Sequence, residues 1–158
     1  MQVQQDHINL LGTLRVIKGL ELQWWTGQIS ARLPAQPDCS LESLCVNMPL
    51  AVQLDLWQAY ASSLVIVDLR FEVKGASLNP KLLKSLERLG KASPSLRTLV
   101  LHRKSIDEHS PTECADQLAA VHTALSPLIK VKCNLCTGAF KKNKYDYIKN
   151  IERGTNGK

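Results

Sequence analysis

The chain has few aromatic residues and no long apolar run. Phe, Trp and Tyr make up 5% of its 158 residues, too few for the row of stacked rings on which single-stranded nucleic acids bind. No apolar run approaches the roughly 18 residues that suggest a membrane span. The first nine residues lack the basic start and apolar stretch of a secretory signal. The sequence therefore predicts a protein that makes no contact with a membrane.

Cysteine is present in an odd number, which argues against a framework of disulfides. A chain of this length with 44% hydrophobic residues can bury a core without such bonds. We therefore expect reduced thiols in a cytoplasmic protein, folded as a single α/β domain over residues 1–158. The five cysteines are Cys39, Cys45, Cys114, Cys133 and Cys136.

The sequence also lacks the common motifs of catalysis. It contains no phosphate-binding loop, no GxGxxG, no GxSxG and no HExxH. Cys133 and Cys136 form one CxxC, but no second pair follows at the spacing of a zinc site. We expect two ordinary thiols there, with a metal or redox function as the alternative. The sequence thus predicts no catalytic residue, no metal ligand and no cofactor.

A strand, a helix and a second strand follow one another in the middle of the chain. Residues 64–71 and 96–101 are apolar and β-branched, and the first run is expected to be covered on both faces. Between them, residues 79–91 place leucines at helical spacing, with Asn79 as N-cap and Gly90 at the exit. Such a unit normally makes a right-handed parallel crossover.

The same alternation extends in both directions, without an evident internal repeat. It predicts an α/β fold: a three-layer, mostly parallel five-stranded sheet of the flavodoxin or CheY type, with helices on both faces. Residues 14–33 are either a helix or a hairpin turning at Gly19 and Gly27. The other predicted strands are 8–14, 41–48 and an edge strand at 128–135; the other predicted helices are 49–60, 112–126 (capped by Thr112) and 145–153.

The positive charge is confined to the C-terminal segment, residues 128–158. Residues 1–127 carry twelve basic and twelve acidic side chains, so the net charge of +6 belongs to this segment. Such asymmetry indicates an anionic partner, nucleic acid among them, although a solvated helix face explains it equally. The candidate nucleic-acid ligands are Lys130, Lys132, Lys141, Lys142, Lys144 and Lys149.

Asp68 is the candidate functional carboxylate. It lies near the C-terminal end of the apolar central strand, where open α/β sheets place their functional groups. Following Leu64-Val65-Ile66-Val67, it resembles the phosphoacceptor of bacterial receiver domains, and most of all the degenerate receivers of LuxR-family regulators. The resemblance places Lys130 or Lys132 at the position of the receivers' lysine. Residues 9–13 supply no acidic pair for Mg²⁺, so it implies a pseudo-receiver that needs no phosphorylation.

These features lead to one main functional hypothesis and two alternatives. The main hypothesis is a non-enzymatic regulatory or assembly module that binds a protein partner or a second copy of itself. Trp24 and Trp25 are then candidate interface residues, since tryptophan is enriched at binding hot spots. The alternatives are a nucleic-acid-binding accessory protein that uses the basic segment, and an enzyme centred on Asp68.

Overall fold

Strands and helices alternate along the chain. The computed structural model describes residues 5–11, 16–22, 33–70, 77–103 and 109–138. The prediction of a helix at 145–153 lies outside these ranges, and so does most of segment 14–33. In chain order the described elements are α1 (Gln5–Leu11), β1 (Gly19–Leu22), β2 (Ser43–Val46), α2 (Leu50–Tyr60), β3 (Ile66–Arg70), α3 (Pro80–Lys91), β4 (Thr98–His102), α4 (Pro111–Ala124), β5 (Lys130–Cys133) and α5 (Asn134–Gly138).

Side-chain caps fix where the two longest helices begin. The Oδ1 of Asn79 accepts the backbone N–H of Lys81 at 2.9 Å, and proline follows at the first helical position, as predicted. Helix α4 begins two residues earlier than expected. Its cap is Ser110, whose Oγ accepts the N–H of Glu113, and not Thr112. Pro111 has no N–H to leave unpaired, so it suits the first position of α4.

The five strands form one all-parallel sheet, so the predicted α/β class and five-stranded parallel sheet are confirmed. The strands are ordered β1-β2-β3-β4-β5, with β5 at an edge as predicted. Flavodoxin-like sheets have the order 2-1-3-4-5, so the first two strands are placed differently here. Because the strand order follows the chain order, every connection leads to the neighbouring strand in the same direction along the sheet. Right-handed crossovers then place all connecting helices on one side of the sheet.

Burial alternates along every strand from β2 to β5. Leu44, Val67, Leu99 and Val131 are aligned across the sheet and are at most 5% exposed. Their neighbours in sequence point the other way and are partly or fully exposed, with Ile66 at 42%. The expectation that residues 64–71 are covered on both faces is therefore wrong, because apolar Ile66 and Leu69 occupy opposite faces.

The core lies between the covered face of the sheet and helices α2, α3 and α4. Trp57 is fully buried and donates its indole N–H to Ser93 Oγ at 2.8 Å. Helices α3 and α4 pack closely at Gly90, where an added Cβ would lie 2.6 Å from Leu125 Cδ2. Gly90 therefore serves this close approach. Helix α3 ends at Lys91, as in the predicted range 79–91, so Gly90 lies in its last turn.

The strand register reveals a repeat that the sequence alone did not show. Each of the first four strands occupies the same place in a six-residue pattern, L-x-x-L-x-L, where Ile or Val also fills an apolar position. The pattern begins at Ile17, Leu41, Leu64 and Leu96, and the last three are at most 1% exposed. Aligned strand starts are separated by 24, 23, 32 and 32 residues (Gly19, Ser43, Ile66, Thr98, Lys130). This uneven spacing hides the repeat.

In the N-terminal region one prediction is wrong, and one of the two alternatives for residues 14–33 is excluded where the chain is described. Residues 8–14 were expected to be a strand, but residues 5–11 form α1, where Gln5 Nε2 donates to Asn9 Oδ1 across one turn. In segment 14–33, residues 19–22 form strand β1 and not the helix. Strand β1 pairs in parallel with β2 from Gly19 to Leu22, and this ladder outweighs the helical spacing of leucines because tertiary pairing overrides local propensity.

Candidate functional site

Four side chains with metal-binding atoms meet beside the end of β5. His109 precedes α4, Cys114 lies in its first turn, Cys133 ends β5 and Cys136 lies in α5. Their ligand atoms all lie within 4.8 Å of one another. The three thiols are buried and the imidazole is half-buried. We call these four residues the Cys3His cluster.

The imidazole is directed at the thiols through one ring nitrogen. His109 Nε2 lies 3.5 Å from Cys133 Sγ and 3.3 Å from Cys136 Sγ. The sulfurs of Cys114 and Cys136 are 3.9 Å apart, and every cysteine in the chain is a free thiol. Four donor atoms thus converge on one point.

The thiols of the cluster influence one another's ionisation. Hydrogen bonds from Cys114 and Cys136 lower the pKa of Cys133, and the backbone N–H groups of Leu135 and Cys136 reinforce this effect. Donating to Cys133 raises the pKa of Cys114 to about 11. The pKa of Cys136 is raised as well, first by its bond with Cys114 and then by that with Cys133.

Polar side chains next to the cluster connect the elements that carry it: Arg103 and Gln117 are buried and Asn134 is half-buried. The side chain of Asn134 accepts the N–H of Arg103 at 2.7 Å and donates to its carbonyl at 3.1 Å, which ties α5 to the chain after β4. Arg103 is 9% exposed and donates to Gln117 of α4. Its guanidinium charge lowers the pKa of Cys114, although burial and the bond to Cys133 outweigh it.

The second candidate region is the face of the sheet that points away from α2, α3 and α4. We call it the outer face, and none of its residues is fully buried. It is formed by Gly19, Glu21, Ser43, Cys45, Ile66, Asp68, Arg70, Thr98, Val100, His102, Lys130 and Lys132.

Polar side chains of neighbouring strands contact one another on the outer face. Asp68 Oδ2 lies 3.2 Å from His102 Nδ1, and Arg70 donates to Cys45 Sγ at 3.4 Å. Partial burial raises the pKa of Cys45, and the Asp68 charge adds to this. In the described part of the chain, Asp68 Oδ1 and Arg70 Nε are buried without a hydrogen-bond partner.

The sequence-predicted site residues fall into three groups. Asp68 is the third of five residues in β3, so it lies on the sheet face and not at the strand end. Lys130 and Lys132 are two positions apart in β5 and share the outer face with it. Trp24, Trp25, Lys141, Lys142, Lys144 and Lys149 lie outside the described residues.

Only half of the Cys3His cluster is apparent from the sequence. Cys133 and Cys136 form a single CxxC, whereas the remaining donors are His109 and Cys114, spaced as H-x4-C. Comparison with family models, with curated proteins and with solved structures gives no match for the chain. Among the described residues, no helix has the length and apolarity required to cross a membrane.

Proposed function

We propose that this protein is a non-enzymatic binding module that recognises an acidic segment of a protein partner through its outer face. The observation that carries the proposal is the sequential parallel sheet, of which helices α2, α3 and α4 cover only one side. The main function predicted from the sequence is a module that acts through protein contacts. The outer face is the surface that we propose makes those contacts.

The repeated pattern supports this proposal. L-x-x-L-x-L on consecutive parallel strands, with helices on one side, resembles the first half of the leucine-rich repeat pattern, although the Asn or Cys that follows it there has no counterpart in this chain. Solenoids of this kind use the strand face as an extended binding surface. The receiver resemblance stays a prediction, and the proposal does not depend on it, since receiver-like sheets have a different strand order.

The charges of the outer face favour an acidic partner. Lys130, Lys132 and Arg70 lie on it together with two carboxylates, of which Asp68 is in contact with His102. The other, Glu21, lies on β1 at the opposite edge of the sheet from exposed Lys130 on β5, so the basic side chains dominate the β5 side. Complementary charge speeds association and selects partners more than it adds raw affinity.

A site-specific photo-crosslinker tests the proposal in cells that express the full chain. It is placed at Thr98 on the outer face and, as a matched control, at exposed Lys84 on α3. We expect a protein adduct at Thr98 that maps to an Asp- and Glu-rich segment, disappears with Lys132→Glu and has no counterpart at Lys84.

The other outcomes contradict the proposal in distinct ways. A nuclease-sensitive adduct would indicate the nucleic-acid alternative, and an adduct with a second copy would indicate a homodimer. No adduct at Thr98, or the same adduct at Lys84, would exclude the outer face as the contact surface.

A further inference from the structure

The Cys3His cluster goes beyond a binding module, because it contains a complete ligand set for a metal. His109, Cys114, Cys133 and Cys136 come from four places in the chain: the residue ahead of α4, its first turn, the last residue of β5 and α5. Free cysteine packs as a small hydrophobic residue, and packing alone does not require three thiols and an imidazole nitrogen to meet at one point.

Three of the six distances between donor atoms are close to the edges of a tetrahedron around zinc, and all six are within 4.8 Å. A zinc ion with Zn–S of 2.3 Å and Zn–N of 2.0–2.1 Å separates two thiolates by about 3.8 Å and a thiolate from an imidazole nitrogen by about 3.6 Å. Here the sulfurs of Cys114 and Cys136 are 3.9 Å apart. His109 Nε2 lies 3.5 Å from the sulfur of Cys133 and 3.3 Å from that of Cys136.

Polar and charged side chains surround the Cys3His cluster. Three thiolates around a divalent cation leave one negative charge, and Arg103 lies close enough to act on Cys114 electrostatically. Arg103 is itself held by Asn134 and Gln117, which are the kind of outer groups that orient metal ligands.

We propose that His109, Cys114, Cys133 and Cys136 bind one zinc ion in a structural site. Soft thiolates with one imidazole in tetrahedral arrangement select zinc over harder cations. Four protein ligands leave no position for water or substrate, so the site is closed and not catalytic. The ion ties β5 and α5 to α4, and it thereby fixes the C-terminal edge of the described sheet.

The test uses the full chain, produced with zinc in the growth medium. Elemental analysis is expected to give about one zinc per chain. Cobalt exchanged into the site should show the intense d–d bands of tetrahedral coordination together with thiolate charge transfer. Cys133→Ser and His109→Ala should each retain well under half of the metal. Cys45→Ser removes a thiol outside the cluster and should retain all of it.

A conservative variant guards against loss of metal through misfolding. His109→Cys replaces the imidazole by a fourth thiolate, so it should keep the zinc and increase cobalt charge transfer by about one third, from three thiolates to four. The proposal is overturned if the folded wild type binds no zinc or gives an octahedral cobalt spectrum. It is equally overturned if Cys133→Ser binds as much metal as Cys45→Ser, or if His109→Cys leaves the charge-transfer intensity unchanged.

Discussion

At the scale of single residues, Asp68 has a structural partner that the sequence did not indicate. Its carboxylate contacts His102 from the neighbouring strand, in the register that aligns β3 with β4. In the described part of the chain, the metal-binding side chains that group together are those of the Cys3His cluster, and Asp68 is not among them. A carboxylate with one imidazole gives little of the oxygen coordination that Mg²⁺ requires.

Asp68→Asn is therefore expected to leave the protein unresponsive to beryllofluoride and Mg²⁺, as the wild type should also be. The substitution keeps the shape of the side chain and its contact with His102, so unfolding stability should fall by about 1 kcal/mol or less. Heteronuclear NMR titration of both forms with beryllofluoride and Mg²⁺ measures the response, and urea unfolding measures the stability. Saturable shifts centred on Asp68 in the wild type alone would reveal a working phosphoacceptor.

Substitution of two asparagines, one beside the cluster and one far from it, distinguishes an effect on metal binding from an effect on stability. Asn134→Ala removes the clamp on Arg103 behind the cluster, and we expect metal affinity to fall about 10–100-fold. Asn79→Ala removes the cap of α3, at a distance from the cluster in the chain, and should cost about 1 kcal/mol of stability without changing metal affinity. Competition with a chromophoric chelator and urea unfolding measure the two quantities. Equal metal affinity in both variants would contradict the role given to Asn134.

At the scale of elements, Gln53 joins α2 to the end of β3. Its side chain is fully buried, donates to the carbonyls of Met48 and Arg70 at 2.6 Å each, and accepts the N–H of Arg70 at 2.8 Å. A polar residue on the buried side of an amphipathic helix thus completes backbone hydrogen bonds that the strand leaves open where it ends.

Gln53→Leu is expected to lower the free energy of unfolding by about 3 kcal/mol, because three backbone groups lose their partner in a buried place. The matched control is Gln58→Leu in the same helix. Gln58 accepts from Arg88 at 2.9 Å on the surface, so its loss should cost less than about 0.5 kcal/mol. Urea unfolding of both variants tests the difference, and equal losses would show that the Gln53 contacts do not stabilise the fold.

At the scale of the whole molecule, the sequential sheet makes stability a sum of contacts between neighbours. Each described strand pairs only with the strands before and after it in the chain, which is also the arrangement in stacked repeat proteins. The Cys3His cluster lies at the end of this stack, between α4, β5 and α5. Metal bound there acts on the native state alone and should stabilise it by mass action.

Removal of the metal is expected to lower the melting temperature and to loosen one end of the sheet first. Hydrogen exchange of the chelated protein should show the largest loss of protection in α4, β5 and α5, and little change in β2 and α2. Exchange rates measured with and without chelator decide this. A loss spread evenly over the sheet would mean that the ion does not act locally.

The sequence by itself determined the class of the fold and most of its elements. Periodicity and capping predicted α2, α3, α4 and strands β2 to β5, because each of these has a local pattern strong enough to survive in the fold. Cys133 and Cys136 were visible as a pair for the same reason, because only two residues lie between them in the sequence.

Only the tertiary structure decided the strand order, the exposed face and the complete cluster. Strand order follows from the crossovers, and the alternation of burial follows from which side the helices pack on, neither of which is a property of one segment. Cys114 and Cys133 are separated by eighteen residues that include most of α4. Spacing along the chain could not bring these side chains together, because the packing of α4 against β5 sets the distance between them.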